Sequence, residues 1–318
     1  MKDARGRDAE SPAQIPGKGW KEVMLRVKEQ IGSDNIDIVA AGVAFYFFLA
    51  LFPTLAALIS IYGLVTEPAE VERQMTELTA FLPRDTHQML TERLHSLVQK
   101  SDTALGWGVV LSLLLSLWSA NSGTKSLFTG INIAYDEEIK LGLIKLNALT
   151  LFFTLCGIIV GIIALALVVA FPAVIDRLGL PESVKMVLGL GRWLLLAGIV
   201  MLGLAVIYKI APDRNNPKFK WVSWGSVIAT VLWLLGSALF SLYVNNFGNY
   251  GETYGPVAAV IILMLWFNLT SFVILLGAEI NSELEHQTAK DTTVGEEKPL
   301  GQRQAYHADH VAGEPEAK

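Results

Sequence analysis

The amino-acid sequence predicts an all-α integral membrane protein with six transmembrane helices, an amphipathic helix pair on the outer face and both termini in the cytoplasm. Three observations carry that expectation. Only 17% of the 318 residues are charged while 52% are apolar, against about a quarter charged in a soluble domain. The apolar residues are gathered into runs long enough to cross about 30 Å of hydrocarbon, which takes roughly 20 residues of helix. Lys and Arg alternate between the connecting segments, with eighteen on the pieces of one side and seven on the other. Positive charge collects on cytoplasmic segments, so the richer side, which carries both ends, is placed inside.

Residues 1–19 are polar and hold Pro12, Pro16, Gly17 and Gly19; they read as a disordered arm. Over 20–37 the apolar residues Trp20, Val23, Met24, Val27 and Ile31 recur at helical spacing, with Lys21, Arg26 and Lys28 opposite. That pattern fits either an interfacial helix lying on the membrane or a short helix packed on the bundle's own end. The membrane domain covers 38–283. Its first span, 38–65, contains Pro53, which removes a backbone donor and predicts a kink. The segment 66–103 is too polar to span. Val71, Met75, Leu78 and Leu82 form one apolar stripe and Leu90, Leu94, Leu97 and Val98 another, with Pro83 between them.

The second span, 105–135, is apolar in its first half and polar in its second, SANSGTKSLFTGIN, so the second half must face protein or water. The third, 143–171, is expected to stop at Pro172 and carries Gly157 and Gly161 at a spacing that permits close helix approach, within one chain or between two copies. The fourth and fifth are 186–208 and 221–244; Trp221 and Trp224 suit an interfacial belt. The sixth, 256–280, has no charge between Pro256 and Ala278. The tail, 284–318, is polar and reads as disordered.

Composition also excludes. The single cysteine, Cys156, lies in an apolar run and allows no intrachain disulfide. No Cys/His metal spacing and no nucleotide-binding motif is present, so neither a metal nor another cofactor is expected. Ionisable groups at membrane depth are the natural site candidates. Lys125 lies 20 residues past Leu105, about 30 Å of helix, and Glu279 lies 25 residues past Tyr254, about 37 Å. Both are thereby placed at the inner boundary, in a candidate vestibule with Asn121 and Asn281. The competing readings are a lysine that reaches up to the headgroups and a helix-end carboxylate that fixes depth. Asn132, Asn147, Asn268 and Asn281 are suited to bonds between helices. Asn245, Asn246, Asn249, Tyr250 and Tyr254 form either an outer mouth or an interfacial belt.

Four stretches carry a resemblance. DNIDIVAAGVAFYFFLALFP, SANSGTKSLFTGINIAY, APDRNNPKFKWVSWGS and YGPVAAVIILMLWFNLTSFVILLGAEIN resemble, in order and spacing, the YihY/BrkB family of bacterial inner-membrane proteins over about residues 34–283. The resemblance implies six helices in the cytoplasmic membrane and links the chain to virulence or serum-resistance factors. It also brings an old ribonuclease BN label, which these residues do not support: there is no HxH, no acid paired with histidine and no basic stripe with interleaved aromatics. The expected function is therefore non-enzymatic. It is export or transport of a lipid-like envelope substrate, the alternative being an envelope-assembly or resistance scaffold. Membrane lipids and a second copy of the chain are the expected partners, and no nucleic acid is.

Overall fold

The computed structural model describes residues 3–65, 102–247 and 257–313. Those residues are helical almost throughout, with one isolated bridge between Pro217 and Thr293 as the extended pairing among them. The helices are α1 (Gly17–Ser33), α2 (Ile36–Val65), α3 (Asp102–Ala134), α4 (Leu143–Leu165), α5 (Phe171–Arg177), α6 (Glu182–Ile210), α7 (Phe219–Phe247), α8 (Val257–His286) and α9 (Tyr306–Asp309).

Among the described residues four stretches are long and apolar enough to cross a membrane: Leu143–Val168, Glu182–Ile210, Phe219–Val244 and Val257–His286. A fifth arises if α1 and the first part of α2, bent by 63°, count as one span. The bend is made at Asn35, whose φ of 51° is left-handed, a conformation asparagine tolerates better than most residues. α2 continues as helix through position 53 to Val65. The Pro53 side chain and its expected kink, the amphipathic pair at 66–101, and Asn249, Tyr250 and Tyr254 lie outside the described residues, as do the side chains of Asn245 and Asn246.

The helices are held together chiefly at one end. Ile36, Ala40 and Val43 of α2, Phe128 and Ile131 of α3, Tyr208 of α6, Ala229 of α7 and Leu275 and Ala278 of α8 form one buried core. Small residues set the crossings. A side chain at Gly123 would meet Phe47, and one at Gly130 would come within 2.9 Å of both Leu275 and Val39. Gly225 and Gly277 let the α7 and α8 backbones touch, and Tyr208 Oη reaches over to donate to the Ile274 carbonyl at 2.7 Å. α4 and α6 instead turn large apolar side chains outward, among them Phe152, Ile159, Val187, Leu190, Leu194 and Leu202. Such a surface is stable against lipid and not against water.

Three expectations are corrected. The third span does not stop at Pro172. The chain makes a π turn over Ala166–Ala170, and Pro172 then occupies the first turn of α5, where a missing N–H costs little. The arm, expected to be disordered at 1–19, is packed from residue 3: Ala9 and Ile15 join Val23, Val27, Trp221, Ile280 and Leu284 in a second buried cluster. That burial also shows α1 packed on the bundle's end. The tail, expected to be disordered at 284–318, is packed through residue 313. Arg303, 4% exposed, donates to the carbonyls of Ala289, Lys290, Lys298 and Ala308. Thr288 Oγ1 donates to Ala9 O at 2.7 Å, and Ala289 N to Arg7 O at 2.8 Å. Polar composition alone signals disorder; here polar groups such as Thr288 and Arg303 are bonded to the arm or within the tail, so the segments are polar and ordered together. The arm, tail, α1 and the loop between α6 and α7 form a collar around the end of α8.

Candidate functional site

α8 is apolar to Ala278 and then carries Glu279, Asn281, Glu283, Glu285 and His286. At 100° per residue these divide into two opposite stripes. Glu279, Glu283 and His286 share one face and Asn281 and Glu285 the other. Glu279, Asn281, Glu283 and Glu285 are each no more than 1% exposed, because the collar closes over every side of the helix.

On the Asn281–Glu285 face both α8 side chains are matched. Asn281 Oδ1 accepts from Gly225 N at 2.7 Å and its Nδ2 donates to Val222 O at 3.2 Å, locking α8 to α7 at their closest approach. Glu285 takes both guanidinium nitrogens of Arg214, at 2.6 and 3.2 Å, and the Thr292 hydroxyl at 2.7 Å. The Arg214 guanidinium also lies over the Tyr135 ring, 4.5 Å from its centre. Burial works against the charge on Arg214, and the Glu285 carboxylate outweighs it, so its pKa is raised. A buried pair of this kind is tolerated only with good geometry and further hydrogen bonds, here the two Arg214–Glu285 contacts and the Thr292 hydroxyl. Asn132 makes a second lock: its Nδ2 donates to Ala211 O at 2.9 Å and its Oδ1 accepts from Asp213 N at 2.8 Å.

The opposite face is not matched. Neither carboxyl oxygen of Glu279 has a hydrogen-bond partner. The side chain in reach is Asp34, another carboxyl, placed there by the corner between α1 and α2. Two facing carboxyls repel unless a proton or a cation lies between them. Burial raises the pKa of Asp34, and the nearby Asp136 raises it further. One turn along, Glu283 accepts from Arg26 Nε at 2.5 Å, while Arg26 Nη2 holds Gln287 Oε1 at 2.8 Å. Glu283, His286 and His307 bring their ligating atoms within 4.8 Å of one another, and the two imidazoles stack edge to face at 4.9 Å. His307 is 1% exposed with neither ring nitrogen hydrogen-bonded; its Nε2 lies 3.1 Å from Asp136 Oδ2 without bonding alignment.

Of the four residues placed in a common vestibule by sequence, Glu279 and Asn281 lie in the collar, on opposite faces of α8. Lys125 does not join them. Gly130 abuts Leu275, and Phe47 touches both Gly123 and Phe267, so α3 and α8 run parallel with Gly130 level with Leu275. Lys125 therefore sits about nine residues short of Glu279, roughly 14 Å along the axis. No ion pair joins the two among the described residues. The estimate from the helix starts failed because the outer ends of α3 and α8 are not level. Asn121 sits still further from the collar, half-buried, with a buried Oδ1 that has no hydrogen-bond partner. Apart from Asn132, the polar half of α3 bonds to its own backbone and, through Thr124 to Thr154 at 2.8 Å, to α4.

Sequence reasoning missed Asp34, Asp136, Arg214, Glu283, Glu285, His286 and His307. The i, i+4, i+7 spacing of Glu279, Glu283 and His286 was available as a signal. The residues that oppose it lie in segments whose composition gave no reason to place them there.

A core of helices joined at one end, apolar flanks turned outward and, among the described residues, buried charge gathered in a terminal collar define a multi-helix membrane protein. Comparison with known proteins then assigns it: the profile of the virulence factor BrkB family matches residues 27–301, and the chain belongs to that family. It is 30% identical over 251 residues to the ribonuclease-like protein YfkH of Bacillus subtilis, covering 77% of this chain and 88% of that one. It is 25% identical over 262 residues to the UPF0761 membrane protein IL2447 of Idiomarina loihiensis, covering 81% and 88%. To the UPF0761 membrane protein NTHI0384 of Haemophilus influenzae it is 24% identical over 269 residues, covering 81% and 93%. No solved structure matches the chain.

Proposed function

We propose that this protein is a bacterial inner-membrane transporter or exporter of an amphipathic, lipid-like envelope substrate, with six spans and both termini cytoplasmic. The observation that supports it most is the unmatched pair of carboxyls, Glu279 and Asp34, at the point where α8 leaves its apolar run. A bundle built only for stability gains nothing from that pair, since replacing buried ionic groups by apolar ones is often neutral or stabilising. A proton or cation that enters and leaves between the carboxyls couples to the corner between α1 and α2. Asp136, Glu283 and His307 face the same pair and set its field. No nucleotide-binding motif is present in the sequence, so the transport is read as passive or gradient-driven. The orientation rests on the charge count along the sequence. Cysteines introduced at Gln99 and Asn216 are expected to label from opposite sides.

Substrate flux into proteoliposomes tests the transport reading. Glu279→Gln is expected to abolish flux while leaving the protein folded; undiminished flux in that variant sinks the coupling role. The alternative, an envelope-assembly scaffold, is favoured by the dense collar, and it predicts that Glu279→Gln alters partner capture while no flux exists in the wild type. The ribonuclease word in a relative's name is not carried over. The histidine cluster is closed to a polymer, with Glu283 and His307 each 1% exposed.

A further inference from the structure

We propose that Glu283, His286 and His307 form a site for one divalent transition-metal ion of the zinc class, which clamps the C-terminal tail to the end of α8. The inference stands apart from the transport reading. Glu283 and His286 are three residues apart on one helix, a spacing that turns a carboxylate and an imidazole toward the same point. The third group, His307, arrives from α9 in the tail, and all three ligating atoms come within 4.8 Å of one another.

The second observation concerns what these groups lack. Buried polar atoms are almost always hydrogen-bonded. His307 is 1% exposed, and both its ring nitrogens are buried without a hydrogen-bond partner, as is Nδ1 of His286, which stands 3.5 Å from Glu283 Oε2. An imidazole held this way beside a second imidazole and a carboxylate has a ring nitrogen close enough to share one ion with them. The donor set selects the ion. Two imidazoles and one carboxylate suit zinc and its neighbours, whereas calcium and magnesium prefer all-oxygen sets. The chain's single thiol, Cys156, lies on α4 and is not in the cluster.

The surroundings fit as well. Asp136 Oδ2, 3.1 Å from His307 Nε2, is placed either to supply a fourth oxygen or to orient the ring. Its backbone is held in the left-handed region at φ 52°, which aims the side chain back under the tail. Arg26 donates to Glu283 and Gln287 and so fixes the carboxylate, as outer-sphere donors do in metal sites. Burial leaves no room for a substrate, so the ion's role is to tie the tail down.

The test uses full-length protein purified with a tag free of histidine, stripped with a chelator and titrated with Co²⁺ as a visible probe. One ion per chain is expected, with d–d absorption that Zn²⁺ abolishes by displacement, a rise in Tm and slower tryptic cleavage at Lys298 and Arg303. His307→Gln and His286→Gln are expected to lose the absorption and the Tm rise, with affinity down more than about 100-fold, and Asp136→Asn to weaken it roughly 10-fold. Cys156→Ser is expected to bind as wild type does. Failure of the wild type to take up Co²⁺, or undiminished affinity in His307→Gln, overturns the site. If the His307 variant does not fold, the decision passes to His286→Gln, whose side chain is 21% exposed and tolerant of change.

Discussion

α4 and α8 are both long apolar helices, and they are used in opposite ways. α4 turns Phe152, Ile159 and Ile162 outward and, among the described residues, leaves Gly157 and Gly161 with nothing against them. α8 is enclosed along its last three turns, where a methyl added at Gly277 would strike Tyr208 and the residues beyond carry four ionisable groups. Burial is therefore no measure of apolarity in this molecule. Its most hydrophobic helix faces outward, and its most deeply buried stretch is charged. The bilayer supplies the solvent that the apolar flank needs, while charge is stable where arms and loops can wrap and pair it.

Variants that remove a collar partner should break this contrast most strongly. Arg214→Ala leaves Glu285 buried without its guanidinium and is expected to cost about 3–5 kcal/mol, measured as a fall in Tm in detergent. Pairing it with Glu285→Gln should restore part of that loss. Arg303→Ala removes the donor shared by four carbonyls. It is expected to cost about 1–3 kcal/mol, read as faster hydrogen exchange confined to 289–313. Gly225→Ala forces the α7 and α8 backbones apart, with an expected cost of about 1–3 kcal/mol, measured by thermal unfolding. If Gly225→Ala proves neutral, the close approach of α7 and α8 is wrong.

Asp34 gives a pH signature with a fixed sign. Its folded pKa is raised above the ordinary 3.8, chiefly by burial. The folded state therefore holds the proton longer than the unfolded one. The contribution is fully present below 3.8 and is lost as pH rises through the folded pKa. Asp34→Asn should flatten that fall in stability between mildly acidic and neutral pH; a variant whose slope matches wild type contradicts it. The smallest effect belongs to the outward flank. Gly157→Ala should change stability by less than about 0.5 kcal/mol, as surface substitutions do. A large loss there would reveal a helix or a second copy against α4.

The helices were legible because long apolar runs leave the backbone no alternative to helix. Asn281 was legible as a bond between helices, whereas Asn132 ties α3 to the loop after α6 and Asn147 bonds its own helix at Leu143 O. The collar was not legible. Arg26 meets Glu283, Arg214 meets Glu285 and Thr288 meets Ala9 across 71 to 279 positions of sequence, and no local pattern announces such pairs. Lys125 and Glu279 were put level by measuring from helix starts, whereas true height is fixed by where Gly130 and Leu275 touch.

The bonds between the arm and the tail also set a schedule. Arg7 and Ala9 are made well ahead of their partners Thr288, Ala289 and Ala312. At roughly 5–20 residues per second of synthesis, the arm waits on the order of a quarter of a minute to a minute for the segment that completes it. During that interval Ala9 and Ile15 have no finished site to occupy. Closure of the collar thus comes late, and a chain cut short before residue 288 leaves Arg7 and Ala9 without these hydrogen-bond partners.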